Sequence, residues 1–395
     1  MTGADDRVPE LLRSAPLIDG HNDLPWALRE AREDGRAPDI AQACPDLQTD
    51  LPRIAAGGLG GQFWSVYVPS DLPPDLAVTQ TLEQVDSVYQ LVARHSDRLQ
   101  LARSADDVER LASTPRLASM IGVEGGHSMG GSLGTLRILA RLGAGYLTLT
   151  HNDDTPWADS ATGDHPHGGL TTFGEEVVHE LNRCGVLVDL SHTSDDTMRQ
   201  AIHLSEAPVI FSHSSARALC DVTRNVPDDV LELVGRRGGV VMVSFVPSFT
   251  TRQGAVANQS AWADVQRLRV EHRDEPEVLR AAVDARFADE EGEVTATIGD
   301  VADHVDHVRA VAGIDAVGIG SDFDGAGRMP LGLEDVSCYP ALFAELAARS
   351  YTDEELQKVA GRNVLRVMRE AERVAAGLRP AGRVPSASPT EAEAQ

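Results

Sequence analysis

Lysine is almost absent. Lys358 is the single one in 395 residues, and all other basic side chains among the 35 are arginine. A phosphate-gripping lysine follows a glycine-rich loop, and a Schiff-base or metal-bridging carbamate lysine needs a site around it. Lys358 lies instead in the charged helical stretch TDEELQKVAGRNVLRVM, so these chemistries are excluded. Cysteine pairs are lacking as well: Cys44, Cys184, Cys220 and Cys338 are far apart, without a C-x-x-C motif, which fits a reducing cytoplasm. Positive charge is short, with 61 acidic residues leaving a formal charge of −26, so nucleic acid and anionic membrane surfaces are repelled. The start, MTGADDRVPELLRSAP, has no apolar signal-peptide core. No apolar run approaches the ~18 residues of a membrane span, and the expectation is a cytoplasmic protein without a membrane anchor.

What is present is 42% hydrophobic residues, enough for one large α/β barrel or two ordinary domains. Short apolar runs recur eight times: APLIDG near 15 to 20, FWSVYV at 63 to 68, ASMIGVEG at 118 to 125, GYLTLTH at 145 to 151, VLVDLSH at 186 to 192, PVIFSH at 208 to 213, GVVMVSF at 239 to 245 and AVGIGSD at 316 to 322. Helical periodicity fills the gaps in TLEQVDSVYQLVARH, SLGTLRILARLG, TFGEEVVHELNRCG, PDDVLELVGRRG and IGDVADHVDHVRAVAG. Thr172 or Ser194, and Pro227 with Asp228 and Asp229, suit helix starts. Eight βα units predict a single-domain (β/α)8 TIM barrel with C-terminal helices over residues 1–375, with a doubly wound open sheet as the alternative. A charged helical excursion near 250–296 breaks the rhythm, and residues 376–395 read as a polar, disordered tail.

Barrel chemistry sits at the carboxyl ends of the strands. Just past the apolar runs stand His21 and Asp23, Glu124, His151, His192, His213 and Asp322. An H-x-D pair alone is weak, because His151 with Asp153 and His304 with Asp306 also form one. Imidazoles and carboxylates crowded on one face need a cation to compensate them, and an N/O set without thiolates suits zinc, manganese or cobalt, with zinc the default. His95, His179, His203, His304 and His307 lie in helical stretches and read as exposed or half-packed, while His165 and His167 read as loop residues.

The segments LIDGHNDLPW, IGVEGGHS, LTLTHND, VDLSH, PVIFSHS, TRNVPDDVL and GIGSDFDG, in this order over residues 17 to about 370, resemble the membrane (renal) dipeptidase family, peptidase family M19 within the amidohydrolase superfamily. The resemblance implies a binuclear centre of two Zn2+, with Mn2+ or Co2+ as substitutes. His21 and Asp23 would hold one ion, His192 and His213 the other, and Glu124 would bridge them. It implies His151 as the substrate-polarising histidine, Arg224 as the grip on the substrate carboxylate and Asp322 as the acid/base. The expected activity is hydrolysis of dipeptides by a metal-bridging hydroxide, with a D residue tolerated at the C-terminal position. Ester, lactone or other amide hydrolysis on the same centre is the alternative, and for Arg224 an ion pair with Asp221, Asp228 or Asp229 is the bland reading. Glycines 125, 126, 130 and 131 would let backbone approach the site. The expected partner is a small dipeptide, and association into a homo-oligomer stays open.

Overall fold

The computed structural model describes residues 7–272 and 296–378, with isolated positions between them. Among the described residues nine strands form, all pairing in parallel: β1 (Leu17–Asn22), β2 (Leu59–Tyr67), β3 (Leu99–Leu101), β4 (Leu117–Glu124), β5 (Ala144–Thr148), β6 (Leu187–Asp189), β7 (Ile210–Phe211), β8 (Val240–Val243) and β9 (Val317–Ile319). β2 pairs with both β1 and β4, the ladder continues in order from β4 to β9, and β9 returns to β1 through Asp19 and Ile319. Eight strands therefore close into the expected (β/α)8 barrel. The open-sheet alternative is ruled out by the closing β9–β1 pairing. β3, which the apolar-run pattern did not reveal, is a short extra strand along the start of β4, from Leu99 opposite Leu117 to Leu101 opposite Ser119.

Successive residues of a strand point to opposite faces, and the apolar core divides accordingly. Leu17, Trp64, Ile121, Leu147, Val188 and Val241 belong to one cluster, and their neighbours Ile18, Phe63, Met120, Tyr146, Leu187 and Val240 to another that includes the helix Asn363–Leu378. Leu17 and Ile18 are fully buried, and aliphatic side chains of this kind contribute roughly 1.5–3 kcal/mol each on burial.

Several strands end earlier than their apolar runs, and carboxylates explain where. The Ser212 N–H, next along from β7, donates to Asp189 Oδ1 at 2.8 Å. The Ser321 N–H, just past β9, donates to Asp19 Oδ1 at 2.8 Å. Side chains of the neighbouring strands thus replace the ladder and leave the following residues free to turn toward the barrel mouth.

The helices begin on polar caps. Ser194 accepts from the Thr197 N–H as anticipated, whereas Thr171 rather than Thr172 caps the helix Thr172–Cys184. Gly185 and Gly238 close their helices at φ 76° and 72°, a left-handed backbone that glycine takes without a Cβ clash. Of the excursion near 250–296, the helices Pro247–Thr250 and Arg252–Glu271 are described, and most of the rest lies outside the described residues. The last helix runs to Leu378, past the expected boundary at 375, and the remainder of the tail from 379 lies outside the described residues. No helix among the described residues is long and apolar enough to cross a membrane.

Candidate metal centre

The strand-end residues converge at the barrel mouth. Glu124, the last residue of β4 and only 4% exposed, stands at the centre with its two oxygens facing different partners. Oε2 lies 3.5 Å from His21 Nε2, while Oε1 lies 3.2 Å from His192 Nε2, 3.5 Å from His213 Nε2 and 3.8 Å from His151 Nε2. His21 Nε2 is also 3.3 Å from Asp23 Oδ2 and 3.9 Å from Asp322 Oδ1. The seven strand-end residues named from sequence are therefore within one cluster. Ser65 on β2 fixes the carboxylate by donating to Glu124 Oε2 at 3.1 Å.

The backbone bends to make this geometry. His192 and Asp322 have φ of 67° and 69°, a left-handed conformation that costs an L-residue about 1–2 kcal/mol. At Gly325, an added Cβ would fall 2.2 Å from Asp23 Oδ2 and 2.6 Å from Asp322 Oδ1, so a side chain there would push both carboxylates aside. Gly125, at φ 94°, follows Glu124, and its Cβ position meets the His127 ring at 2.2 Å and the His151 Cβ at 3.3 Å, whereas those of Gly126 and Gly130 meet Trp157 and Val78 rather than the cluster.

The His21 ring is set by a hydrogen bond behind it. Tyr146 OH donates to the Gly20 carbonyl at 3.2 Å and so accepts from His21 Nδ1 at 2.9 Å. This turns His21 Nε2 toward the carboxylates of Asp23 and Glu124, 3.3 and 3.5 Å away. The Tyr146 ring fits because position 122 has no side chain: a Cβ on Gly122 would sit 2.1 Å from the ring. Gly122→Ala is expected to force the tyrosine aside and lower stability by about 1–3 kcal/mol, read as a fall in the thermal midpoint; an unchanged midpoint would mean the ring relaxes without strain.

Electrostatics follow burial. Burial, followed by Arg224 and His151, holds His192 well below the usual histidine range, and burial with His21 and Arg224 does the same for His213. His151 is pushed down to about 4, chiefly by burial. Burial also presses on His21, but Tyr146, Glu124 and Asp23 outweigh it and its pKa lies well above the ordinary value. Asp322 is pushed up to about 7 by burial, with Asp23 and Glu124 adding to it against His21.

Whether this donor set suits metal ions can be judged from the ring nitrogens. His192 Nε2 and His213 Nε2 face each other at 3.0 Å beside Glu124 Oε1. Lone pairs this close are costly in a buried site unless a cation or proton lies among them. Three overlapping groups could each hold an ion: His21, Glu124 and His213; Glu124, His151 and His192; His21, Asp23 and Asp322. Imidazole with carboxylate suits an intermediate divalent metal, so the residues fit.

Arg224 lies beside this cluster, only 5% exposed. It donates to Ser214 Oγ and to the His213 carbonyl, both at 3.3 Å, and its guanidinium carbon lies 4.9 Å from the centre of the Phe249 ring. Among the described residues it forms no ion pair, and its Nε has no hydrogen-bond partner. Burial pushes its pKa down to about 10. The expected alternative of an ion pair with a neighbouring aspartate is not seen: Asp229 pairs with Arg199 at 2.8 Å, Asp228 pairs with His307 at 2.8 Å, and no pair of Arg224 with Asp221 occurs among the described residues. A buried cation without a carboxylate is poised for an anionic ligand.

The other histidines stay outside the cluster. His95 and His304 depart from expectation: His95 is buried, and His304 is fully buried rather than half-packed, with Nδ1 accepting from the Ala216 N–H at 3.0 Å and Nε2 meeting the Thr250 carbonyl at 2.8 Å. His165 and His179 are exposed, and His167 holds the Thr155 carbonyl at 3.1 Å.

With this geometry in view, the comparisons with known proteins agree. The family described as membrane dipeptidase, peptidase family M19, matches residues 5–381. Human dipeptidase 3 is 43% identical over 392 residues, covering 98% of this chain and 70% of that protein. The probable dipeptidase PvdM from Pseudomonas aeruginosa superposes with a TM-score of 0.81 at 25% identity, over 94% of this chain and 99% of that one. A metallo peptidase from Rhodobacter sphaeroides, liganded with a phosphinate mimic of the dipeptide L-Ala-D-Ala, does so with a TM-score of 0.73 at 25% identity, over 90% and 99%. A match over nearly its whole length, on a closed barrel whose strand ends gather histidines and carboxylates, shows that the chain belongs to the membrane dipeptidase family, peptidase family M19, and is an enzyme of the metallo-dipeptidase class.

Proposed function

We propose that the enzyme is a zinc-dependent dipeptidase that grips the free carboxylate of its substrate with Arg224 and accepts a D residue at that end. The observation that carries the substrate class is the buried, unpaired guanidinium beside the cluster. A planar fork of donors matches a carboxylate, and a chain that ends one residue beyond the scissile bond would put one there. The phosphinate mimic of L-Ala-D-Ala held by the Rhodobacter sphaeroides relative supports the D configuration.

His21 and Asp23 would hold one zinc ion, His192 and His213 the second, and Glu124 would lie between them; Mn2+ or Co2+ are substitutes. Ions held there supply Lewis acidity and an activated water. The protein's own groups do the rest. His151, neutral at pH 7 because burial depresses it to about 4, can donate a hydrogen bond to a developing oxyanion. Asp322, with a pKa near 7, can take a proton from water and return it to the departing amine nitrogen. The four cysteines are free thiols, which supports placing the enzyme in the cytoplasm.

Amine release from a library of dipeptides with L and D second residues, and tripeptides as controls, tests the substrate class. Cleavage of dipeptides alone, including D members, is expected; turnover of esters or lactones with none of dipeptides would overturn it. Chelation should stop turnover and zinc should restore it, with the far-UV circular dichroism unchanged throughout, since the strands are held by their own ladders and carboxylate staples. Loss of the helical signal together with activity would instead make the metal structural.

A further inference from the structure

Asp189 and Ser212 lie behind the candidate metal ligands and have no place in the chemistry above. Both are fully buried. Asp189 accepts four hydrogen bonds: from the Ser191 and Ser212 N–H groups at 3.1 and 2.8 Å, and from the Thr148 and Ser212 hydroxyls at 2.6 Å each. Ser212 has one hydroxyl proton, and the 2.6 Å contact commits it to Asp189. Its oxygen must therefore accept from His213 Nδ1, 2.9 Å away. His213 consequently keeps its proton on Nδ1 and presents the Nε2 lone pair to Glu124 Oε1 and His192. No such restraint exists for His192, whose Nδ1 is buried without a partner.

We infer that Ser212, with Asp189 behind it, is a positioning residue that fixes the tautomer and orientation of His213 and thereby sets how tightly the His192 and His213 side of the centre holds its metal. This rests on the two-ion reading given above. The physical basis is general: a ligating imidazole binds better when its other nitrogen donates to an acceptor that fixes the ring and raises its basicity, and removing that acceptor weakens binding about 10- to 100-fold.

The fold contains its own control. Asp19 makes the same staple at the other strand end, accepting the Ser321 N–H at 2.8 Å, the Ser321 hydroxyl at 2.5 Å and the His21 N–H at 3.2 Å. Yet the Ser321 hydroxyl meets no ring nitrogen. Ser212→Ala and Ser321→Ala thus remove equivalent hydroxyl-to-carboxylate bonds, and only the first frees a histidine. In each variant the N–H bond to the aspartate remains, which keeps the strand end in place.

The experiment is titration of the full-length apoprotein with Zn2+ against a chromophoric chelator, and separately with Co2+ followed by its visible absorption. The unsubstituted protein should take up two equivalents. Ser212→Ala should weaken one of them about 10- to 100-fold and alter the Co2+ bands, while Ser321→Ala binds both as the parent does. Parent-like binding by Ser212→Ala, or equal weakening in the two variants, would overturn the positioning role while leaving the two-ion reading intact. Fewer than two equivalents in the parent would overturn that reading and the positioning role with it.

Discussion

Arg224→Met is expected to lower kcat/KM for a dipeptide by about 2–5 kcal/mol, roughly 30- to 4,000-fold, the range measured when one partner of a buried charge pair is truncated. The same variant should hydrolyse the corresponding dipeptide amide, which has no carboxylate, about as fast as the parent. Paired assays on acid and amide isolate the contribution of the grip, because damage elsewhere in the site would depress both. The fold should not suffer. Arg224 is a buried cation that forms no ion pair among the described residues, and replacing such a charge with a flexible apolar side chain is expected to leave the thermal midpoint unchanged or raise it. Equal losses on the two substrates would show that Arg224 supports the centre rather than the substrate.

Asp322→Asn separates proton transfer from metal binding. A carboxyl group with a pKa near 7 is matched to accept and return a proton at neutral pH, and removing a general acid/base typically lowers kcat about 100- to 10,000-fold. KM and metal content should stay near the parent values, since the proposed ligands are untouched. The structure makes this a demanding test: Asp322 also forms a potential ion site with His21 and Asp23, its Oδ1 lying 3.9 Å from His21 Nε2. If the variant lost one equivalent of metal along with its activity, Asp322 would be a ligand and the proton carrier would have to be sought elsewhere.

The barrel and the ring of polar strand ends were legible in the sequence because both depend on local patterns. Apolar runs separated by helical periodicity mark βα units, and the residue that follows each run stands at the mouth whatever the exact strand boundary. That is why His213 is found in the cluster although β7 is only Ile210–Phe211. Arg224 was legible through its resemblance to a family motif, and its isolation from Asp228 and Asp229 could be seen only in three dimensions. Three kinds of feature were hidden. β3 is three residues long and carries no run of its own. Tyr146, Asp189 and Ser212 sit within or beside apolar runs, where alternation alone cannot tell a buried hydrogen-bonding side chain from a packing one. His304 follows a helical pattern that suggests partial exposure, yet the backbone of Ala216 and Thr250 meets both its ring nitrogens.

In the proposed centre Glu124 would serve both metal ions. Crystals of the zinc-loaded enzyme, measured on both sides of the zinc absorption edge, address it without reference to turnover. Two anomalous peaks are expected, one near His21 and Asp23 and the other near His192 and His213, with Glu124 beside both. A single peak, or peaks remote from Glu124, would contradict it.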